Sequence, residues 1–402
     1  MGSYVNLLKT RGVARIVAAQ LLARFPFGML SLSFLLHIQA VTHSYGAAGL
    51  VLASTSAGQA IAGPLTSRWM GVWGMRRVLT LTLVICAAAI ASIAAFAMPV
   101  PVYMVVGLIA GLSMPPVQSA VRTIYPKMVN STQLTPLFSL DASAQEIIWV
   151  VGPVITTFVA IQISTVLAIW LTVAFLVGGG IWFISSPEVS RVRIPRSKQN
   201  LGAVLGKRPV LLSLVTGFLL IGACAAVEAG VVAAFRNDSA DAGVVLALFA
   251  LGSLVGGLAL GHLPIGPWAL AQRMLVVFVG MGLAALSLDF WWLSGWLVLA
   301  GIGIAPSLAV MFALVSSSVK FSDTAEAYGW IGTGQLIGAA LGSAIAGFLI
   351  DRFGAPGAFY AAGGFALVGC LVPLAFRGWH PDLRGIDASP IPDTEPVAVQ
   401  PE

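Results

Sequence analysis

Charged residues are scarce in this chain of 402 residues, at 9% against about 25% in a typical soluble domain. So few charged side chains cannot cover a water-facing surface, which excludes a soluble enzyme. The chain is instead 58% hydrophobic, with a mean hydropathy of +0.95. We therefore expect much of its surface to face lipid.

Cysteines and catalytic motifs are scarce as well. The three cysteines, Cys86, Cys224 and Cys370, lie in apolar runs without metal-ligand spacing. The sequence has no P-loop, no H-E-x-x-H and no G-x-S-x-G motif. Its basic residues form no stripe with interleaved aromatics, so nucleic acid is not an expected partner. The sequence thus predicts a protein that is not an enzyme and that needs no metal or other cofactor.

Twelve apolar runs have the length of about 20 residues that a membrane-crossing helix needs. They cover approximately residues 16–40, 47–67, 78–97, 102–124, 139–160, 164–185, 209–234, 240–262, 270–288, 291–318, 325–350 and 355–376. The runs lack the polar–apolar alternation of barrel strands. The predicted fold class is therefore an all-α membrane protein with twelve transmembrane helices.

The basic residues are distributed unevenly around these runs. Of the 21 Lys and Arg residues, Arg236 and Arg352 fall on the side opposite the termini and Arg24 falls inside a run, which leaves 18 on the side of the termini. Cytoplasmic loops carry such an excess of Lys and Arg. We therefore expect both termini to be cytoplasmic.

A polar connection divides the twelve runs six and six. Residues 186–208 form this connection and contain six Lys or Arg residues. We predict a six-helix bundle over residues 1–185, a basic linker over 186–208, a second six-helix bundle over 209–378 and a disordered tail over 379–402. Two six-helix repeats around a central site are typical of alternating-access transporters.

Three stretches carry a resemblance to the major facilitator superfamily. Residues 63–68 followed by 74–77 resemble its loop 2–3 signature, although Ser67 stands where the superfamily has an acid that helps to latch the inner gate. Gly152-Pro153 resembles the core of the antiporter signature of proton-coupled drug exporters. Residues 325–347 are similar to span 11 of actinobacterial exporters.

The resemblance implies the major facilitator fold and a multi-pass monomer in a bacterial plasma membrane. It also implies transport of a small molecule coupled to protons. The residues expected to act in gating are Gly63, Arg68, Arg76, Arg77, Gly152 and Pro153.

Four ionisable residues lie inside predicted spans, where each costs about 2.5–3.5 kcal/mol on insertion scales. Arg24 and Glu146 lie at similar depths, so we predict that they pair, either at a binding or coupling site or as a structural salt bridge. Asp141 lies two residues into its span and has either a coupling role or a contact with water or Arg122. By contrast, Arg122, Asp289 and Glu326 lie near span ends and are expected to reach water.

Glu228 is the strongest candidate for proton coupling. It lies about 19 residues into span 7, flanked by Ala and Gly, without a basic neighbour. Withdrawal from water favours the neutral form of a carboxyl group, so such an acid can hold and release a proton. The alternative is a carboxyl group near the outer interface. The predicted coupling residues are Glu228, Glu146 and Asp141.

Apolar spans with a few polar side chains suit a lipophilic or amphipathic ligand. The predicted substrate-binding residues are Arg24, Phe27, Gln59, Gln118, Trp149, Glu228, Trp330 and Gln335. The function that we predict is proton-coupled export by alternating access. The alternative is a proton-coupled importer of a nutrient or sugar-like compound.

Overall fold

The computed structural model describes residues 2–235 and 239–393, so Arg236 and the tail residues 394–402 lie outside the described part. Within it the chain is helical, and the β-structure consists of one isolated bridge between Lys320 and Ile391. Helices pair their backbone groups internally, as a lipid environment demands. The predicted all-α fold is confirmed.

The helices up to Ser185 form what we call the N-terminal half. They are α1 (Gly2–Lys9), α2 (Val13–Thr42), α3 (Tyr45–Trp73), α4 (Met75–Ala95), α5 (Val100–Leu112), α6 (Val117–Ile124), α7 (Ser131–Gln162) and α8 (Thr165–Ser185). A short 3-10 turn, Tyr125–Lys127, follows α6.

The helices from Arg208 onward form the C-terminal half. They are α10 (Arg208–Ala234), α11 (Ser239–Leu260), α12 (Ala269–Ala284), α13 (Phe290–Ser318), α14 (Phe321–Phe353) and α15 (Pro356–Ala375). The connection between the halves contains a short helix α9 (Pro187–Arg191) and a 3-10 turn at Ala203–Gly206, and a last 3-10 turn covers Arg377–Trp379.

Ten segments of the described chain are helices long and apolar enough to cross a membrane. The apolar helix α12, with 16 residues, and α3, with 29 residues, occupy the positions of the two remaining predicted spans. Predicted span 4 is broken into α5 and α6 at Met114-Pro115-Pro116, because proline has no N–H for the helix ladder. Helix α7 begins at Ser131, eight residues before the predicted start at 139.

Glycines allow close helix packing within each half. A Cβ atom on Gly28 would lie 2.3 Å from the carbonyl oxygen of Ile148, so α2 and α7 nearly touch there. On α14, a Cβ atom on Gly338 or Gly342 would lie 2.1 Å from a carbonyl oxygen of α10. These two glycines of α14 therefore pack inside their own half.

The linker lies at one end of the bundle, which we call the linker face; the opposite end is the distal face. There Arg15 at the start of α2 forms an ion pair with Glu188 of α9. The tail also returns to this end. Ile391 N–H donates to the carbonyl of Val319, and Phe321 N–H donates to the carbonyl of Ile391, at 2.9 and 3.0 Å.

This part of the tail differs from the disorder predicted for residues 379–402. Leu383 and Ala388 are buried, and Leu383 N–H donates to the carbonyl of Ile265. The physical reason is that the first N–H groups of α14 have no partner inside the helix, and the tail backbone supplies one.

Candidate functional site

Three charged side chains meet inside the N-terminal half. The Asp141 carboxylate on α7 accepts from Arg24 Nη1 of α2 at 3.1 Å and from Arg122 Nε of α6 at 2.9 Å. None of the three residues is more than 2% exposed. We call Arg24, Arg122 and Asp141, with the neutral groups that bond to them, the arginine cluster.

The predicted pair of Arg24 with Glu146 is therefore wrong, because Arg24 pairs with Asp141. Helix α7 starts eight residues earlier than predicted, which places Asp141 well inside the helix. Asp141 and Glu146 are five residues apart, so they point about 140° away from one another. Of the two alternatives for Asp141, contact with Arg122 is observed, whereas the expectation that Arg122 reaches water is wrong.

Neutral side chains complete the arginine cluster. Gln20 Oε1 accepts from Arg24 at 2.8 Å, Gln145 Oε1 accepts from Arg24 as well, and the Tyr125 hydroxyl donates to Asp141 at 3.2 Å. The amide oxygen of Gln118 accepts from Arg122 in the orientation that satisfies both groups. The sequence predicted substrate contacts for the amides of Gln20, Gln118 and Gln145, but it predicted no role for Tyr125.

An aromatic group from the C-terminal half covers the arginine cluster. The Arg122 guanidinium lies 3.5 Å from the ring centroid of Phe312 on α13, a cation–π contact. The Phe312 ring contacts those of Tyr328 on α14 and Phe138 on α7, with centroids 6.2 and 6.3 Å away. We call Phe138, Phe312 and Tyr328 the aromatic cover. Phe312 was one of the aromatic residues predicted on helices that line the cavity, but its contact with Arg122 was not predicted.

Two carboxylates approach each other from the two halves. Glu146 of α7 and Glu228 of α10 lie close enough for their negative charges to interact. The Ser253 hydroxyl of α11 donates to Glu146 Oε1 at 3.0 Å, and the Glu228 side chain is exposed. Both carboxylates were predicted from the sequence, but Ser253 and their proximity were not.

A second ion pair joins the halves near the linker face. Arg68 Nη1 at the end of α3 donates to Glu326 Oε2 of α14 at 2.6 Å. The other oxygen of Glu326 accepts from the backbone N–H of Gly202 in the linker at 2.7 Å, and Trp330 Nε1 lies 3.4 Å from it. Arg68 also donates to the carbonyl of Gln199. We call Arg68, Glu326, Trp330 and the linker backbone groups that bond to them the latch.

The latch corrects two expectations. Glu326 does not reach water at a span end, because it is only 2% exposed. The loss of an acid at position 67 does not leave Arg68 without a partner, because the acid comes from α14 instead. Ser67 itself is buried, and its hydroxyl has no hydrogen-bond partner in the described chain.

The remaining predicted gating residues separate into two groups. Gly63 of α3 faces Gly329 of α14 across the halves, where a Cβ atom on Gly329 would lie 2.7 Å from the Gly63 carbonyl oxygen. The others lie within the N-terminal half. Arg76 donates to the carbonyl of Ile184, Gly152 packs on Gly28, Arg77 is exposed and Pro153 is half-buried.

The predicted substrate-binding residues are also dispersed. Phe27 packs against the core of the N-terminal half, Trp330 belongs to the latch, and Gln335 lies beside Gly217 of α10. Gln59 is half-buried and Trp149 is 49% exposed. The structure brings Arg24 and Gln118 together in one cluster and Glu146 and Glu228 in another.

The contacts between the halves named so far join α3 with α14, α6 and α7 with α13, and α7 with α10 and α11. Two more are hydrogen bonds from Ser139 of α7 to the carbonyl of Gly257 and from Thr333 to the carbonyl of Ala60. The latch, the arginine cluster and Ser139 all lie toward the linker face. The structure is therefore closed at that face. In the described residues no group of His, Cys, Asp or Glu is arranged to hold a metal ion.

Comparison with known proteins identifies the family. The model of the Major Facilitator Superfamily matches residues 16–288 and 229–398. The chain belongs to the major facilitator superfamily. Superfamily membership makes it a multi-pass transporter and not an enzyme, with a small molecule as its substrate. No curated protein matches the sequence.

Solved structures of the superfamily share the fold at low identity. A bacterial homologue of the iron transporter ferroportin, in an outward-facing state, aligns with a TM-score of 0.74 and 13% identity over 92% of this chain and 100% of its own. The human organic anion transporter MFSD10 (TETRAN) aligns with a TM-score of 0.71 and 16% identity over 90% of this chain and 99% of its own. The E. coli fucose:proton symporter FucP aligns with a TM-score of 0.70 and 14% identity over 91% of this chain and 98% of its own.

Proposed function

We propose that this protein is a proton-coupled exporter in which Glu146 and Glu228 carry the proton. The observation that carries the proposal is the approach of these two carboxylates, one from each half. Two negative charges that lie this close repel one another, and a single proton relieves the repulsion. The pair therefore has a physical reason to bind and release a proton during transport.

The contacts of Glu146 connect this proton to the conformational cycle. Its hydrogen bond to Ser253 joins α7 to α11, in opposite halves, while the linker face is closed. Separation of the halves at that face removes this bond and brings water to the carboxylate. Loss of the bond by itself favours the protonated form, whereas entry of water favours the charged form, so the proton leaves on opening because the effect of water is the larger of the two.

The expected orientation sets the direction in which the proton moves. If the linker face is cytoplasmic, as the distribution of 18 basic residues indicates, the structure is an outward-facing state. The exposed carboxylate of Glu228 then takes up a proton from outside, and the proton leaves when the linker face opens. Inward proton flow drives a lipophilic or amphipathic molecule outward.

A flux assay tests the proton-coupling role. The full chain is reconstituted in proteoliposomes with a pH gradient, and uptake of three probes is followed: tetraphenylphosphonium, 2-naphthoate and fucose. We expect the gradient to drive one probe in the direction opposite to proton flow, and Glu228→Gln or Glu146→Gln to abolish that flux. Asp351→Asn, at an exposed carboxylate near the distal end of α14, is the matched control.

Two results would contradict the proposal. Gradient-driven flux that is equal in Glu228→Gln and the wild type would show that Glu228 takes no part in proton coupling. Movement of the probe in the same direction as the proton would instead identify the protein as an importer, which is the alternative function. In that case the same two carboxylates would couple the proton to uptake of the substrate.

A further inference from the structure

The arginine cluster contains one more positive charge than negative charge. Two guanidinium groups share the single carboxylate of Asp141, which is the only acid that pairs with either of them in the described residues. The other side-chain acceptors, on Gln20, Gln118 and Gln145, are neutral amides. An unpaired charge buried in a protein is costly, so this excess needs a reason beyond structural pairing.

An unused hydrogen-bond donor lies beside this excess charge. Gln20 is fully buried, and its Oε1 accepts from Arg24. That bond leaves the Gln20 Nε2 group as a donor, and it has no partner in the described chain. A buried amide donor next to two guanidinium groups is complementary to a group that has several acceptor oxygens and a negative charge.

Access to the arginine cluster depends on the position of the C-terminal half. The aromatic cover closes the cluster in this state, and Phe312 and Tyr328 belong to the other half. Separation of the halves at the linker face removes Phe312 from the Arg122 guanidinium. The same rings supply apolar surface beside the charge, which suits an anion with an aromatic or aliphatic body.

We propose that Arg24, Arg122 and Gln20 bind the carboxylate or phosphate group of an amphipathic organic anion that enters from the linker face. When that face closes, the Phe312 ring returns to the Arg122 guanidinium. The electron-rich face of the ring then replaces part of the charge compensation that the anion gave. The anion is thereby released. This inference rests on the transport function proposed above, but not on proton coupling by Glu146 and Glu228.

A binding titration on the purified full chain in detergent tests the inference. The probes are 2-naphthoate, its neutral isostere 2-naphthamide, and 2-naphthyl phosphate, and the readout is quenching of tryptophan fluorescence. We expect 2-naphthoate or 2-naphthyl phosphate to bind at least about tenfold more tightly than 2-naphthamide, since only they carry the charge. The tighter of the two anions identifies the headgroup.

Matched variants locate the site. Arg122→Gln and Arg24→Gln should each weaken binding of the anion by about tenfold or more, with little change for 2-naphthamide. Arg208→Gln, at an exposed arginine that starts α10, should change neither. Phe312→Ala retains every charge and removes the cover, so it should strengthen anion binding even if the arginine variants fail to fold.

The outcomes separate this inference from the proton-coupling proposal. Glu228→Gln should bind the anion as the wild type does, whatever its effect on proton-driven flux. Equal affinity for 2-naphthoate, 2-naphthyl phosphate and 2-naphthamide would overturn the inference. So would anion affinity that is unchanged in both arginine variants, or absence of anion binding to the wild type and to Phe312→Ala up to the solubility limit.

Discussion

The arginine cluster and the latch are both built from buried ion pairs, yet they connect different parts of the molecule. Every charged member of the arginine cluster comes from the N-terminal half, whereas the latch pairs Arg68 of that half with Glu326 of the other. Alternating access moves the halves as units. Ion pairs inside one half can therefore persist through the cycle, and an ion pair between the halves has to break.

The arginine cluster and the latch also differ in how deeply their charged side chains are buried. Asp141 is wholly enclosed, and Arg24 and Arg122 are almost as buried. In the latch, the Arg68 side chain is 22% exposed. Solvent near Arg68 reduces the energy needed to separate it from Glu326, which is a property that a reversible contact requires. Three substitutions test the distinction, and a fourth tests an ion pair on the surface; they follow in order of decreasing expected effect.

Asp141→Ala should have the largest effect. It leaves two buried guanidinium groups without a carboxylate, and loss of one partner of a buried ion pair costs about 3–5 kcal/mol. Denaturant or thermal unfolding in detergent measures the loss. The exposed carboxylate of Asp351 is the control, and Asp351→Ala should change stability by less than about 0.5 kcal/mol. Equal stabilities of the two variants would contradict the structural role of Asp141.

Glu326→Gln should have a smaller effect, and on a different quantity. Hydrogen bonds to a charged group contribute about 1.5–3 kcal/mol, and this change removes one ion pair that exists only while the linker face is closed. Spin labels at the exposed positions Arg77 and Lys320, one in each half, measure the opening. The population of long distances should rise in the variant. An unchanged distance distribution would show that the latch does not hold this face closed.

Gly329→Ala should affect the same equilibrium through packing. The added Cβ atom would lie 2.7 Å from the Gly63 carbonyl oxygen, and overpacking of this kind costs about 1–3 kcal/mol. Gly332→Ala is the matched control, three residues along the same helix and with no atom within 4 Å of the added Cβ. The spin-label distances should lengthen in the first variant only. Lengthening in both would indicate a general effect of alanine on α14.

Asp382→Asn should have the smallest effect. Arg384 hydrogen-bonds to Asp382 and lowers the pKa of that carboxyl to about 2, but both side chains are on the surface. A lowered carboxyl pKa contributes stability above the ordinary pKa, and this contribution is lost as the pH falls towards 2. Between about pH 5 and pH 8 the wild-type carboxylate stays ionised, so the difference in melting temperature between the variant and the wild type should be constant there. A pH-dependent difference between them in that range would contradict this interpretation.

The residues of the site show where sequence reasoning was sufficient. Arg24, Asp141, Glu146 and Glu228 were identified because a charge in an apolar run is costly and needs a reason. Their pairing could not be derived in the same way. The pairing depends on the angular position of each residue on its helix, and an error of eight residues in the start of α7 was enough to assign Arg24 to the wrong acid.

The roles of Glu326 and Phe312, by contrast, could not be predicted from the sequence. Glu326 lies near the end of an apolar run, where the sequence alone indicates contact with water, and Phe312 is one of several aromatic residues on the predicted cavity helices. Each acquires its role from the other half: Glu326 from Arg68, and Phe312 from Arg122. Contacts between distant segments leave no periodic pattern in either segment.

The sequence by itself determined that this protein is a helical membrane protein, approximately where its helices lie, and which of its charges are costly. These properties follow from local composition, because transfer of each segment into lipid depends mainly on its own side chains. Only the tertiary structure decided which charge meets which partner, and that the basic residue of the loop 2–3 signature finds its acid on α14. Those choices depend on the rotation and depth of helices that are far apart in the chain, and packing of the whole bundle sets both.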